Sequence, residues 1–285
     1  MIKNEFLFGV SPSFTVSEYG KNFTVNDICS SMITISKLGF KCFQPEVKFE
    51  SALQDWVEGG AKKVKSLSDE LGLEVSQFIA HYAMDYFADE DSLFSDNGIE
   101  ETKKIVDLVL ELKPCKIITI PIGSFNYGKS KRLGMVDSYR ERLTEKLYGI
   151  LKVIEQANLK LAIEILLNSF IEGYDGFLDI ANQIGSKNIG VNFDTGHAWA
   201  NKEDVVLIPL KMKDLIFGTH LCDNFGGESL SLTPGKGNIP WEPLIHNLVI
   251  FGYKGSMDLE ISTEPDMIGA EYREGRDYIN LMLSK

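Results

Sequence analysis

The sequence is short of the features that mark several protein classes. Its four cysteines, Cys29, Cys42, Cys115 and Cys222, are scattered over 285 residues without a Cys-x-x-Cys pair. Neither a disulfide framework nor a thiolate-rich zinc site is indicated. Reduced thiols, with an N-terminus (Met1-Ile2-Lys3-Asn4-Glu5) that does not read as a signal peptide, lead to the expectation of a cytoplasmic protein. No apolar run approaches the roughly 20 residues needed to cross a bilayer, so no membrane partner is expected. Positive charge is scarce: 29 Lys and Arg against 41 Asp and Glu give a formal net charge of −12, which repels a polyanion and disfavours nucleic acid as a partner. A Gly-rich phosphate loop is missing too. Val10-Ser11-Pro12-Ser13 follows the first strand-like run where a doubly wound nucleotide-binding sheet would carry its fingerprint.

What is present is an α/β rhythm. With 44% hydrophobic and 25% charged residues the chain can bury a sizeable core, and residues 1–285 are expected to form a single domain. Strand-like runs fall at Phe6–Val10, Phe40–Val47, Leu73–Ala80, Lys116–Ile122, Lys160–Leu166, Asn188–Phe193, Leu215–Leu221 and Ser256–Ile261. Amphipathic stretches such as Ala61–Leu71, Glu100–Leu112 and Tyr139–Asn158 separate them, with stop signals at Gly39, Gly72, Pro114 and Gly252. Eight strand–helix repeats predict an α/β fold of the (βα)8 TIM-barrel type, which needs about 250 residues.

Four polar residues sit at the downstream ends of the last four apolar runs: Glu164, Asp194, His220 and Glu260. Each is about one repeat from the next, so all four should converge on the C-terminal rim, where the chemistry of such barrels takes place. Alone, each reads as a salt-bridged or loop-capping group. Together, three carboxylates would repel one another unless a cation or protons compensated them. Oxygen ligands with one imidazole suit one divalent metal ion of the Mn²⁺, Mg²⁺ or Co²⁺ kind.

The words around these residues carry a resemblance. Asp194-Thr195-Gly196-His197, His220-Leu221-Cys222-Asp223-Asn224 and Pro234-Gly235-Lys236-Gly237-Asn238-Ile239-Pro240-Trp241 are similar to signatures of the xylose isomerase-like barrel superfamily. That group includes sugar phosphate isomerases and epimerases, ketose 3-epimerases, inosose dehydratases and apurinic endonucleases of the endonuclease IV type. The resemblance implies that Glu164, Asp194, His220 and Glu260 are the metal ligands and that His197 contacts substrate. The extra histidine ligands of the endonuclease branch are missing from Thr119–Ser124 and Thr233–Gly237, which with the acidic charge disfavours DNA repair. The arginine usual in the corresponding loop of ketose 3-epimerases is missing from Asp223-Asn224-Phe225-Gly226-Gly227.

The activity implied is that of a divalent-metal-dependent isomerase or epimerase acting on a carbohydrate or related polyol ketone, with Glu164 and Glu260 as the catalytic pair that removes and returns a proton. The alternative is a dehydratase of a keto sugar or inosose on the same site; a non-catalytic sugar-binding barrel is the third reading. Around the quartet, His81 is divided between substrate contact and a structural hydrogen bond, and Trp199 between a wall for sugar C–H faces and plain packing. Phe14, Tyr82, Phe125 and Tyr127 are further wall candidates. Asp223 is expected to orient His220 rather than ligate, and Cys222 to pack. Glu46 is placed either on a sugar hydroxyl or in a salt bridge. Trp241 is expected to fix the start of the following helix, and His246 to lie on the surface. Lys129, Lys131 and Arg132 form either an anion contact or a solvated loop. The partner is a small carbohydrate; oligomeric state, a homo-oligomer included, is left open.

Overall fold

A strand covered by helices on one side and packed into a barrel on the other must be apolar on both faces, and runs such as Leu161-Ala162-Ile163 meet that condition. The computed structural model describes residues 6–131 and 136–285. Among them, eight strands run parallel in chain order. They are β1 (Phe8–Val10), β2 (Cys42–Phe43 and Glu46–Val47), β3 (Glu74–Val75 and Phe78–Ala80), β4 (Ile117–Ile122), β5 (Lys160–Ile165), β6 (Ile189–Asp194), β7 (Ile216–His220) and β8 (Met257–Leu259). β1 pairs with both β8 and β2, and the ladder continues through β7. The last seam, β7 to β8, is a single bridge between Leu221 and Leu259, in which Leu221 N–H donates to the Asp258 carbonyl at 2.8 Å and Glu260 N–H to the Leu221 carbonyl at 3.1 Å. The chain is a (βα)8 barrel. None of its described helices is long and apolar enough to cross a membrane.

Sequence periodicity gives β2 and β3 as unbroken runs, and both are interrupted. Pro45 has no N–H to donate to a ladder, so β2 breaks there. Its carbonyl still accepts from Ile79 N–H at 3.0 Å, after β3 has stepped out over Ser76 and Gln77. The step turns the Gln77 side chain into the barrel, where it donates to Asn192 Oδ1 at 2.8 Å and accepts from Thr119 Oγ1. This buried amide layer fits because residue 218 is glycine. A Cβ there would lie 2.6 Å from Gln77 Nε2 and 2.9 Å from Asn192 Oδ1.

The helices begin and end on local chemistry. Thr24 and Asp27 form a reciprocal capping box at the start of the helix Val25–Lys37, and Gly72, with φ 62°, supplies the left-handed residue that ends Ala61–Leu71. In the helix Val136–Gln156, Lys146 is fully buried and donates to the carbonyls of Tyr86 (2.9 Å), Ser92 (2.6 Å) and Ser95 (3.2 Å). Burial lowers its pKa to about 8, and those three bonds tie down the segment after β3 that begins with His81.

Substituting Gly218→Ala inserts a methyl group into the amide layer and should destabilise the barrel by about 1–3 kcal/mol, the usual range for overpacking. Urea unfolding checks this; an unchanged midpoint would mean that the layer has room to spare.

Candidate metal centre and active site

The four strand-end residues meet. Glu164 is the penultimate residue of β5, Asp194 and His220 are the last residues of β6 and β7, and Glu260 directly follows β8. One ligand atom from each lies within 4.8 Å of all the others. His220 Nδ1 is 2.5 Å from Glu164 Oε1, 2.7 Å from Glu260 Oε2 and 3.8 Å from Asp194 Oδ2. Neighbours hold the outer carboxylate oxygens: Asp194 Oδ1 accepts from His197 N–H at 2.6 Å, capping the short helix Thr195–Ala200, and Glu260 Oε1 accepts from Ser13 Oγ at 2.9 Å.

The electrostatics are those of a crowd of anions around one cation. Burial raises the Asp194 carboxyl well above its usual value, and the charges of Glu260 and Glu164 push it further. Burial alone would lower His220, but the two glutamates overcome it and hold the imidazolium well above its ordinary range. Burial also works to raise Glu260, and there the charge and hydrogen bond of His220 win, leaving that carboxyl below its normal range. One proton on Nδ1 cannot serve two carboxylates. It bonds Glu164, and Glu260 Oε2 is left buried without a hydrogen-bond partner despite its 2.7 Å approach to the ring.

An orphaned carboxylate oxygen aimed into a cluster of three carboxylates and one imidazole fits a divalent cation bound mainly through oxygen. A cavity of about 540 Å³ lies at the opposite, N-terminal end of the barrel, lined by Ser76, Ser256 and Asp258 among others, and contains none of the four. The ligand cluster, not the roomier cavity, is where the chemistry converges.

Around the cluster, His197 Nδ1 accepts from Leu167 N–H at 3.0 Å. The ring proton therefore resides on Nε2, free to donate, and burial lowers the pKa so that the imidazole stays neutral. Trp199 directs its indole N–H to Asn238 Oδ1 at 2.6 Å, which ties it to the loop after β7. His81 Nδ1 pairs with Glu46 Oε1 at 2.9 Å, with Lys48 Nζ 3.5 Å from the same nitrogen. Glu46 thus takes the salt-bridge alternative, and its Oε2 is buried without a partner.

Asp223 makes no contact with His220. Its Oδ1 accepts from the N–H groups of Asn224 (2.9 Å) and Ile239 (3.1 Å), and its Oδ2 from Gly235 N–H (2.9 Å) and Trp241 Nε1 (2.8 Å). The expectation that Asp223 orients the imidazole gives way to another role: it is the hub of the loop 223–241. The same bond places Trp241 at the start of the helix Trp241–Ile250, on which His246 is exposed. His220 is instead held by Gln44, whose Oε1 lies 2.7 Å from Nε2. Neither Gln44 nor Ser13 stands out in the sequence, since an amide at the break of β2 and a hydroxyl just after β1 carry no periodic signal.

Cys222 is fully buried beneath Gly196, where a Cβ would come 2.5 Å from its Sγ, and burial raises its thiol well above the normal range, so it packs and does not ligate. Phe14 belongs to the core, packed edge-on against Tyr272 at 4.9 Å, and Tyr82 is also buried; Phe125 stacks on Phe170, and Tyr127 is half exposed beside it. Lys131 is exposed, and Arg132 lies outside the described residues.

The arrangement makes two predictions. The burial and neighbouring charge that raise the Asp194 carboxyl, and the glutamates that raise the His220 imidazole, favour protons that a cation must displace, so metal binding should release protons and weaken as pH falls; titration calorimetry in buffers of different ionisation enthalpy measures this. Because the folded value of Asp194 lies above the unfolded 3.8, its contribution to stability declines as pH rises through that window. Asp194→Asn keeps the cap to His197 while removing the buried group that can ionise there. It should therefore raise the melting temperature of the metal-free protein near pH 7 and abolish the stabilisation that added metal gives. A melting temperature that still responds fully to metal would take Asp194 out of the ligand set.

Comparison with known proteins agrees with this geometry. Residues 34–282 match the family model described as xylose isomerase-like TIM barrel. A D-psicose 3-epimerase of Enterocloster bolteae is 28% identical over 146 residues, 49% of this chain and 46% of that protein; the match thus spans about half the length of that relative. Among solved structures, D-psicose 3-epimerase with D-tagatose from Clostridium cellulolyticum H10 superposes with a TM-score of 0.79 at 17% identity, covering 97% of this chain and 99% of that one. The 3-keto-D-glucoside 4-epimerase YcjR of E. coli gives 0.75 at 17% identity, with coverage of 97% and 100%. At these identities the structural likeness establishes the fold.

Proposed function

The chain belongs to the xylose isomerase-like TIM-barrel family, and from that premise we propose that it is a divalent-metal-dependent epimerase or isomerase of a keto sugar or closely related polyol ketone. The reading rests on one observation above the rest: two glutamates from strands three apart reach the same imidazole nitrogen, one at 2.5 Å and one at 2.7 Å. Two glutamates so placed can hold an ion and also exchange a proton with one substrate carbon, which a site that only bound a sugar would not require. The sugar epimerases among its relatives support the same class.

Glu164, Asp194, His220 and Glu260 would hold the ion. When bound, it supplies electrostatic stabilisation for the negative charge that develops on a substrate carbonyl oxygen as the neighbouring C–H loses its proton. The protein's own groups do the rest. Glu164 and Glu260 act as the acid–base pair, one taking the proton from carbon and the other returning one. Asp194 and His220 anchor. His197, neutral and with its proton fixed on Nε2, donates a hydrogen bond to a substrate oxygen and so orients the sugar. Ser13 keeps Glu260 from swinging away.

Metal-loaded protein incubated in D₂O with a panel of free ketoses, their phosphates and inososes should incorporate solvent deuterium at the reacting carbon. Loss of water instead would identify a dehydratase. Glu164→Gln and Glu260→Gln should each lower turnover by about 10² to 10⁴ at saturating metal, the usual contribution of an acid–base group. Either variant should retain exchange on the side of the surviving glutamate. Near-normal turnover in both would refute the paired-carboxylate reading.

A further inference from the structure

A neutral imidazole has one proton, and the nitrogen that carries it decides which nitrogen can ligate. His220 presents Nδ1 to the carboxylate cluster and Nε2 to the amide oxygen of Gln44, 2.7 Å away, with both side chains buried. An amide oxygen only accepts, so this contact requires a proton on Nε2, and once a cation displaces the proton that Nδ1 shares with Glu164, the Nδ1 lone pair is the one that faces Glu164, Asp194 and Glu260. An amide that flipped would present N–H₂ to Nε2 and reverse the tautomer. In this structure the amide oxygen faces Nε2, and Gln44 Nε2 is itself buried without a hydrogen-bond partner. Asp258 is fully buried inside the barrel, where it accepts from Ser76 Oγ at 3.3 Å and from Ser256 Oγ. The backbone is pinned as well: Gln44 N–H donates to the Val10 carbonyl at 3.1 Å, next to the break in β2 at Pro45.

We propose that Gln44 is the positioning residue that fixes the proton of His220 on Nε2 and aims Nδ1 at the divalent cation. This rests on the metal reading of the four-residue cluster, and the test separates the two. Zn²⁺ affinity is measured by competition with a chelator for the wild type, Gln44→Leu, and the double variant Gln44→Glu/Asp258→Asn, which returns an acceptor to Nε2 at constant net charge. Loss of the residue that orients a metal-ligating histidine typically costs 10–100-fold in affinity, and Gln44→Leu should fall in that range. The double variant should recover to within a few-fold of the wild type, which a purely structural role for Gln44 would not predict. Long-range ¹⁵N–¹H spectra of the zinc-loaded wild type should show Nε2 of His220 as the protonated nitrogen.

A wild-type protein that binds no Zn²⁺ overturns the metal reading and this inference with it. If the wild type binds and Gln44→Leu stays within twofold of it, the inference alone falls. Should Gln44→Leu fail to fold, the spectrum of the zinc-loaded wild type decides, and a proton on Nδ1 sinks the idea.

Discussion

Mutual repulsion among Glu164, Asp194 and Glu260, relieved by a single imidazole, is the constraint on which the barrel mouth depends. Every neighbour of the cluster answers it. Ser13 and the His197 N–H each donate to a carboxylate oxygen, and Gln44 holds the ring edge that the carboxylates do not occupy. Such an arrangement is poor for the stability of the metal-free fold, because buried like charges cost several kcal/mol each unless compensated. Natural proteins tolerate that kind of expense at functional sites and recover it from the surrounding packing. Here the packing is the apolar wall of β4 to β6, where Ile118, Ile120, Ile163 and Val191 are completely buried.

The barrel interior is not a uniform apolar plug. Polar side chains occupy it: Asp258 and Gln77 line the cavity at the N-terminal end, the Gln77 amide bonds Asn192 and Thr119, and Gln44 meets His220 of the ligand cluster. Small residues make room for this. Gly9 lies where a Cβ would fall 1.9 Å from Asp258 Oδ1, and Gly218 does the same for the amide pair. At the mouth, His220 takes its orientation in part from Gln44, whose backbone is pinned to β1, and side chains held on strands are placed more accurately than those on loops.

Much of this was legible in the sequence. The alternation of apolar runs and amphipathic stretches identified the eight strands to within a few residues, and four polar residues at consecutive strand ends identified the cluster. Both signals are local. What escaped depends on contacts between residues far apart in the chain. Gln44 touches His220 across 176 positions, and no pattern around Phe43-Gln44-Pro45 announces it. Asp223 sits three residues after His220 and looked like its partner, yet a carboxylate next to a buried loop is drawn to whichever N–H groups lie unpaired, and those come from Gly235, Ile239 and Trp241. The breaks in β2 and β3 escaped because apolar content reports burial, whereas the ladder is decided by whether each backbone N–H finds an acceptor.

The seam between β7 and β8 has a bearing on how the barrel comes apart. Its backbone pairing is the Leu221–Leu259 bridge, supplemented by the Thr219 hydroxyl, which accepts from Asp258 N–H at 3.2 Å and donates to the Ser256 carbonyl at 3.0 Å, and the bridge's immediate neighbours, His220 on one side and Glu260 on the other, belong to the proposed ligand set. An ion held by both would act as a clasp across the least stitched junction of the ring. Opening there would require breaking coordinate bonds as well as the backbone and Thr219 hydrogen bonds, so a loaded barrel would resist local opening more than its hydrogen bonds alone provide. In the empty protein the same junction becomes the natural place for the cylinder to unzip. A site proposed for proton transfer would thereby double as the fastener that keeps its own scaffold closed.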